Sequence, residues 1–341
     1  MNHRAAPASL PPAGLVGLRP EWSRLVPIID ADGVARTFHV LDSGVGSGVG
    51  SGADSGGGTL LCVHGNPTWS YLWRRILAEA PAGWRVIAVD HLDMGFSERT
   101  GTVRPLARRI DDLGRLTDAL ELTGPVVTVA HDWGGPISLG WAEAHAAQLV
   151  GVVLTNTAVH QPAHSAAPSV IRLARTPALR QLTCATTTTF LEGTLRLNGR
   201  PDSQVRQGFL APYRSAARRQ AISDFVADIP LEATHPTMAT LEAVADGLAA
   251  LSDVPALFLW GPRDPVFGDR YLADLLKRMP HADVHRFEGA GHLVIEDAPD
   301  LVPALAAWVG DLSAAGAGEV GAAVAGEVGA AAAGEVGAAA G

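Results

Sequence analysis

Short, almost uninterrupted apolar runs recur along this chain and constrain its fold more than any other feature. They occur at Thr59–Val63, Trp84–Val89, Val126–Ala130, Val150–Thr155, Ala256–Trp260 and, more weakly, Ala282–Phe287. Runs that do not alternate with polar residues are typical of strands buried on both faces of a parallel sheet. Several of the intervals between them carry helical patterns, at Ser70–Ala78, Leu106–Leu122 and Ile137–Gln148. This strand–helix alternation predicts an α/β fold with a doubly wound, mostly parallel sheet.

The domain organisation follows from where this alternation is absent. Two short strands are predicted between Leu25 and Val40, around a turn at residues 30–33. Between Thr155 and Ala256 the pattern is mostly helical, which predicts a helical cap inserted into the sheet domain. Residues 43–58 are Gly/Ser-rich and predict a flexible loop, and repeated AGEVGAA units predict a flexible C-terminal tail or linker. We therefore expect an N-terminal arm (1–20), a core in two parts (21–157 and 253–313), a cap (158–252) and a tail (314–341).

Composition and charge argue against several classes of function. The 341 residues carry a net charge of −9 without a Lys/Arg block, which argues against nucleic acid or an anionic membrane surface as a partner. The chain has two cysteines, too few for a disulfide framework. Its N-terminus lacks an apolar signal core, and no run of about 18 apolar residues is present. These features predict a soluble protein of the reducing cytoplasm.

The segment from Val129 to Gly135, VAHDWGG, has the spacing of a nucleophile elbow with a carboxylate at its centre. Such an elbow is a sharp turn between a strand and a helix, usually G-x-S-x-G, and here Asp132 replaces the serine. A carboxylate can displace a leaving group from an sp³ carbon and leave an alkyl ester. The segment therefore favours carbon–halogen, epoxide or strained-lactone chemistry. The alternative is an Asp that caps an ordinary helix.

The strand at Thr59–Val63 ends in the loop HGNPTWS. In a fold with this elbow, the loop after that strand supplies one oxyanion-hole amide, and the residue after the nucleophile supplies the other. The expected donors are the backbone N–H groups of Asn66 and Trp133. Gly65 allows the backbone to approach closely, and His64 is expected to brace the loop.

These motifs together resemble the haloalkane dehalogenase family of α/β-hydrolases. The resemblance rests on HGNPTWSYLWR (64–74), AHDWGG (130–135), the turn at 90–97, the cap segments 212–214 and 225–230, and the segments 259–266 and 289–292. It covers roughly residues 20–312. It implies an α/β-hydrolase fold with an inserted helical cap, and chemistry that needs no metal or organic cofactor.

Two further catalytic residues are predicted from chain order and from the resemblance. The order nucleophile, acid, base makes His292, in the segment GAGH, the base. Asp264 follows a strong apolar strand and is predicted as the acid that orients the imidazole. Asp269 is the fallback, although its position is typical of a helix cap. Some relatives carry a Glu after an earlier core strand, where this chain has Thr-Asn-Thr at 155–157.

The resemblance also implies two neutral donors that hold a departing halide. The indole N–H of Trp133 is one. No Trp occurs between residues 142 and 259, so the side chain of Asn66 is the second. Together with Asp264, this set resembles the third dehalogenase subfamily, which is similar to the β-lactone decarboxylases of bacterial olefin biosynthesis. The HDWGGP elbow, the segment Asn156–Pro162 and the C-terminal linker favour that group.

We therefore expect an enzyme that decarboxylates long-chain cis-β-lactones to olefins, with a hydrolytic haloalkane dehalogenase as the alternative. Either would act on an apolar small molecule, and a β-lactone synthetase is the implied pathway partner. A homo-oligomer is left open. Three apolar cap segments are candidates to line a cleft or to pack on the sheet domain: Val170–Leu173, Phe190–Leu197 and Phe209–Pro212.

Other classes of function fit less well. Epoxide hydrolases polarise the ring oxygen with two cap tyrosines, and this cap has only Tyr213. A serine esterase needs G-x-S-x-G, and a metalloenzyme needs a ligand motif such as H-E-x-x-H; neither motif is present. A non-catalytic receptor or scaffold is the remaining alternative, disfavoured because nucleophile, base, acid and both donors are all present.

Overall fold

The computed structural model describes residues 3–44, 57–162, 166–197, 199, 201–312 and 314. The chain forms a first unit, residues 1–302, and a second, residues 303–341. In the second unit, residues 303–312 are helical. The predicted tail (314–341) lies outside the described residues except for residue 314, and most of the predicted loop (43–58) does so as well.

An eight-stranded sheet forms the centre of the first unit. Its strands are β1 (Ser23–Ile29), β2 (Ala35–Asp42), β3 (Thr59–Val63), β4 (Arg85–Val89), β5 (Val126–His131), β6 (Leu149–Thr155), β7 (Ala256–Trp260) and β8 (Asp283–Arg286). Their order is β1-β2-β4-β3-β5-β6-β7-β8. β2 is antiparallel to both β1 and β4, and all other neighbouring pairs are parallel. The predicted doubly wound, mostly parallel sheet is confirmed.

The burial of the strands explains the strength of each apolar run. Every residue of β5 and β7 is buried, because crossover helices cover both faces of a parallel sheet. The edge strand β8 is exposed along its whole length, which accounts for its weaker sequence pattern.

The sheet places two loops side by side at its switch point. The chain passes from β3 outward to β4 and then returns to β5 on the other side of β3. The loops after β3 and β5 therefore leave the same edge of the sheet next to each other. In open α/β sheets this crevice is where ligands bind.

Three helices cover the first part of the sheet: α1 (Arg74–Ala78), α2 (Leu106–Ala119) and α3 (Gly134–Ala144). α3 differs from the predicted Ile137–Gln148 at both ends. It begins earlier because a proline in the first turn of a helix needs no N–H, so Gly-Gly-Pro at 134–136 is helical. It ends earlier because His145 leaves the helical conformation, and Gln148 N–H closes a turn on His145 O.

The segment between β6 and β7 is helical. It contains α4 (Ser169–Ala174), α5 (Pro177–Arg180), a π-helix (Gln181–Thr186), α6 (Thr189–Leu197), α7 (Ser203–Leu210), α8 (Ala216–Ala227) and α9 (Met238–Gly247). Two more helices, α10 (Asp269–Arg278) and α11 (Val294–Asp297), flank β8 in the chain. The domain limits at 157/158 and 252/253 stay predictions. Among the described residues, no helix is long and apolar enough to cross a membrane.

The described part of the N-terminal arm is tied down at several points. Ala6 exchanges backbone hydrogen bonds with Arg99, at 2.9 and 2.8 Å. His3 Nε2 lies 2.9 Å from Asp224 Oδ2 in α8. The arm therefore connects the loop after β4 with a helix of the predicted cap.

Candidate active site

Asp132 occupies the sharp turn between β5 and α3 with a backbone φ of +52°. This left-handed conformation is strained for a residue other than glycine. Hydrogen bonds hold it from both sides: Asp132 N–H donates to Asn156 O (3.1 Å), and its carbonyl accepts from Gly135 N–H (3.0 Å) and the Thr157 hydroxyl (2.5 Å). The turn therefore projects the carboxylate beyond the carboxyl end of β5.

Two backbone amides bind this carboxylate. Asn66 N–H donates to Asp132 Oδ1 over 2.6 Å, and Trp133 N–H is a second backbone donor. Gly65 lies so close that a Cβ there would be 2.6 Å from Trp133 N, which explains the glycine. The two predicted oxyanion-hole donors thus hold the carboxylate itself in the free protein.

His292 and Asp264 form a hydrogen-bonded pair beside the other oxygen. His292 Nδ1 is 2.9 Å from Asp264 Oδ2, and His292 Nε2 is 3.9 Å from Asp132 Oδ2. All three side chains are buried. The fallback acid, Asp269, instead pairs with Arg286 at the surface. The structure therefore brings together the three residues predicted as nucleophile, acid and base.

Two buried residues to which the sequence analysis assigns no role support this pair. Asn156 Nδ2 donates to Gly261 O (2.8 Å) and to Asp264 Oδ2 (3.1 Å), and its Oδ1 accepts from Gly261 N–H (2.8 Å). His131 Nε2 lies 2.8 Å from His292 O. The sequence points to Asn156 in two ways: it begins the segment Asn156–Pro162, and it lies after β6, where some relatives carry a Glu.

Burial and neighbouring charges shift the pKa values of these groups. Burial raises the pKa of Asp132 to about 6, against the opposing effects of the His292 charge and the two amides. Burial opposes protonation of His292, but the charge and hydrogen bond of Asp264, with help from Asp132, raise its pKa to about 9. Burial also opposes ionisation of Asp264, but the charge and hydrogen bond of His292 lower its pKa. Near neutral pH the site therefore holds a carboxylate beside a protonated imidazole.

The side chains of Asn66 and Trp133 reach the same place. Both line a cavity together with Asp132 and His292. Asn66 Nδ2 donates one hydrogen to Ile222 O in α8 over 3.2 Å, and no other described residue accepts its second hydrogen, which is therefore available to a ligand. Trp133 packs on Phe225, with ring centroids 5.9 Å apart and planes at 60°. The two N–H groups can serve a departing anion.

Two largely apolar cavities meet at Asp132. The first cavity has a volume of about 680 Å³ and the second about 550 Å³, and both volumes include open solvent at the cavity mouth. Their shared lining residues are Asp132, Trp133, Ile171, Ile229 and Val266. The first cavity continues along Pro136, Ala158, Leu241, Phe267 and Tyr271, and the second along Val170, Phe190, Thr194, Val226 and Pro265.

The three apolar cap segments have different roles. Ile171 and Phe190 line the cavities, as one of the two interpretations predicts. Phe209 is fully buried and packs edge-on against Tyr71, with centroids 5.2 Å apart, so it belongs to the core.

Among the described residues, no three His, Cys, Asp or Glu side chains are grouped so as to hold a metal ion.

Comparisons with known proteins identify relatives of two activities. A family model described as the alpha/beta hydrolase fold matches residues 58–299. A cis-3-alkyl-4-alkyloxetan-2-one decarboxylase of Xanthomonas campestris pv. campestris is 36% identical over 265 residues, covering 74% of this chain and 88% of the relative. Haloalkane dehalogenase 2 of Mycobacterium tuberculosis is 31% identical over 252 residues, covering 73% and 86%.

A solved structure shares the fold. The haloalkane dehalogenase DatA from Agrobacterium tumefaciens C58 superposes with a TM-score of 0.71 at 22% identity, covering 85% of this chain and 97% of that one. The matched family region begins just before β3, ends just after α11 and contains Asp132, Asp264 and His292. The chain therefore belongs to the α/β-hydrolase fold family, in the group that contains the cis-3-alkyl-4-alkyloxetan-2-one decarboxylases and the haloalkane dehalogenases.

Proposed function

We propose that this protein decarboxylates cis-β-lactones with two alkyl arms, releasing an alkene and CO₂. The observation that carries the proposal is the meeting of two apolar cavities at one carboxylate, Asp132. A four-membered lactone substituted at C3 and C4 projects two chains from one small reacting ring. Such a molecule suits two cavities better than a linear haloalkane does. The name of the Xanthomonas relative describes a substrate of this shape.

In the proposed reaction, Asp132 Oδ2 attacks C4 of the lactone and the bond from C4 to the ring oxygen breaks. The resulting carboxylate on C3 accepts hydrogen bonds from Trp133 Nε1 and Asn66 Nδ2. The bond between C3 and this carboxylate then breaks, and its electron pair forms the C3=C4 double bond while the C4–Oδ2 bond breaks. CO₂ and the alkene leave, and the Asp132 carboxylate is restored. No net proton transfer and no water are required.

His292 acts in this scheme as a fixed cation. Its pKa of about 9 keeps the imidazole protonated at neutral pH, and Nε2 lies 3.9 Å from Asp132 Oδ2. A positive charge at this place favours the ionised nucleophile in a buried site and stabilises the same oxygen when it departs. Asp264 holds the imidazole ring in position through its hydrogen bond with Nδ1, and its negative charge balances the imidazolium. Asn156 Nδ2 in turn donates a hydrogen bond to Asp264 Oδ2.

Hydrolytic dehalogenation is the second candidate, and the hydrogen-bonded His292–Asp264 pair favours it. After halide displacement, the alkyl ester on Asp132 has to be hydrolysed, which needs a base to take a proton from water. Neutral His292 would be that base. The amides at Asp132 Oδ1 would then hold the developing oxyanion. Decarboxylation has no step that needs this base.

Product analysis separates the two candidates. Purified protein is offered a cis-β-lactone with two alkyl arms and, separately, 1-bromoalkanes, and alkene, CO₂ and bromide are measured. We expect alkene and CO₂ from the lactone with the wild type and none with Asp132→Asn, because an amide is a poor nucleophile. Mass spectrometry checks that the introduced Asn has not deamidated. An untouched lactone together with rapid bromide release would reverse the order of the two candidates.

The proposal extends to domain limits, location and partners. The ends of β6 and β7 support a cap at 158–252 inserted between core parts 21–157 and 253–313. Both cysteines are free and buried, which supports the cytoplasm as the location. A β-lactone synthetase is the class of enzyme that would supply the substrate. Size-exclusion chromatography with light scattering would detect a homo-oligomer.

A further inference from the structure

Arg109 in α2 is a buried cation that forms no salt bridge with any residue that the structure describes. The residue is 3% exposed, and its Nε and Nη1 atoms have no hydrogen-bond partner in the described part of the chain. Arg104, which is equally buried, pairs with Asp112 at 2.7 Å and with Asp30 at 3.0 Å. Burying a guanidinium without direct partners is costly. Because of this cost, we looked for a role of the Arg109 charge in the active site rather than in the stability of the fold.

Arg109 reaches the site through one aromatic ring. Its Cζ lies 3.5 Å from the centroid of Phe225 in α8, and Phe225 packs against Trp133. In the same helix, Ile222 O accepts the hydrogen bond from Asn66 Nδ2. Both donors of the leaving-group site therefore contact α8, the helix that carries the ring on which Arg109 is stacked.

Four carboxylates act on Arg109 electrostatically without being hydrogen-bonded to it: Asp228, Asp93, Asp224 and Asp112. Each hydrogen-bonds other groups. Asp228 accepts from Leu106 N–H and Thr237, Asp93 from Thr100, Asp112 from Arg104, and Asp224 contacts His3 and Gln220. They compensate the charge of Arg109 at a distance, and its guanidinium stays directed at Phe225.

We propose that Arg109 is a positioning residue for the leaving-group site formed by Trp133 Nε1 and Asn66 Nδ2. The guanidinium fixes the Phe225 ring by a cation–π contact, and the ring fixes the indole of Trp133. The positive charge also stabilises the anion that occupies this site. The inference rests on the proposed function for the identity of that anion, the carboxylate released when the lactone opens. The site itself can be tested with bromide.

The test compares three arginine variants. Arg109→Met removes the charge at similar side-chain length, and Arg109→Lys keeps the charge. Arg108→Met is the matched control, because it removes a more exposed cation from the position of α2 directly before Arg109. Bromide binding is followed by tryptophan fluorescence, with fluoride at equal ionic strength as background. Trp133→Phe serves as the control that should lose the response.

We expect Arg109→Met to weaken bromide binding several-fold, because the variant removes a buried positive charge that lies one aromatic ring away from the indole of Trp133 and that four carboxylates compensate only in part. Arg109→Lys and Arg108→Met should bind bromide nearly as the wild type does. With the lactone, Arg109→Met should lower kcat and leave KM nearly unchanged, because the anion forms only during the reaction. A loss of packing alone would not produce this separation.

Unchanged bromide affinity in Arg109→Met would overturn the proposal. The proposal would also be overturned if Arg109→Met lost affinity for bromide and for the neutral alkene product to the same extent, because such a result would indicate altered packing. If circular dichroism shows that Arg109→Met does not fold, Phe225→Leu replaces it, and unchanged bromide affinity in that variant overturns the proposal. If the wild-type protein binds no bromide, the leaving-group site does not exist as described and the proposal is refuted. Bromide binding with an untouched lactone refutes the decarboxylation and leaves the role of Arg109 standing.

Discussion

At the scale of single residues, the two carboxylate oxygens of Asp132 have different neighbours. Asn66 N–H holds Oδ1 at 2.6 Å, while Oδ2 faces His292 Nε2 at 3.9 Å. In the proposed reaction, Oδ1 stays bound to the amide and Oδ2 attacks the substrate. The residue type at the elbow then sets the class of reaction, because a serine there forms an acyl-enzyme and a carboxylate forms an alkyl ester.

The pH dependence should differ between the two candidate reactions. Only ionised Asp132 attacks, so activity is lost as the pH falls through its pKa of about 6. Decarboxylation uses protonated His292, so kcat/KM for a lactone should rise through about pH 6, stay level, and fall above about pH 9. Hydrolysis of an alkyl ester needs neutral His292 and should rise toward pH 9. A lactone profile that keeps rising to pH 9 would contradict the role of His292 as a cation.

His292→Phe should separate alkylation of Asp132 from hydrolysis. With a 1-bromoalkane, the variant should release bromide once and retain the alkyl group on Asp132, because attack needs no base and hydrolysis does. Intact-mass spectrometry measures the added alkyl mass. The double variant with Asp132→Asn is the control and should gain none. Bromide release by His292→Phe without an alkyl increment would argue against a covalent ester.

The sequence reveals some of these residues and not others for a physical reason. Asp132, Asp264 and His292 each follow a strand of the same sheet, so strand prediction alone brings them to one edge. Asn156 lies in the segment Thr-Asn-Thr at 155–157, and its partners Gly261 and Asp264 are more than a hundred residues away in the sequence. Contacts at such separation depend on packing that local patterns do not encode.

At the scale of elements, α8 joins the predicted cap to the site. It contacts Asn66 through Ile222 O and Trp133 through Phe225. Helical patterns predict that a cap exists, but they do not predict which of its helices touches the donors. The apolar runs predict the strands closely, whereas the ends of α3 differ from the prediction because a Gly-Gly-Pro segment resembles a turn.

The N-terminal arm should stabilise α8. Deleting residues 1–10 removes the contact of His3 with Asp224 and the backbone pairing of Ala6 with Arg99. We expect Tm to fall by a few degrees, at roughly 2–4 °C per kcal/mol, and KM for the lactone to rise. His3→Ala should show part of the effect, and Arg4→Ala, at an exposed position of the same arm, should show none. An unchanged Tm and KM in the deletion would mean that the arm does not support α8.

At the scale of the whole molecule, the topology of the sheet and the cap together produce a branched site. The switch point between β3 and β5 brings the loop of Asn66 beside the elbow of Asp132. Residues of the predicted cap such as Phe190 and Leu241 then line two cavities that meet at this carboxylate. The strand pattern predicts the first feature. The second depends on the packing of short helices and was left open by the sequence.

The two cavities should select the two alkyl arms independently. Leu241 lines only the first cavity and Thr194 only the second, so Leu241→Trp and Thr194→Trp should each fill one of them. Each buried methylene contributes about 0.8 kcal/mol, so kcat/KM of the wild type should rise with the length of either arm. The measurement uses two lactones with unequal arms, one long at C3 and one long at C4. Each variant should lose activity toward one of them and keep it toward the other, with opposite preferences. If both variants lost activity toward both lactones equally, the two cavities would not hold separate arms.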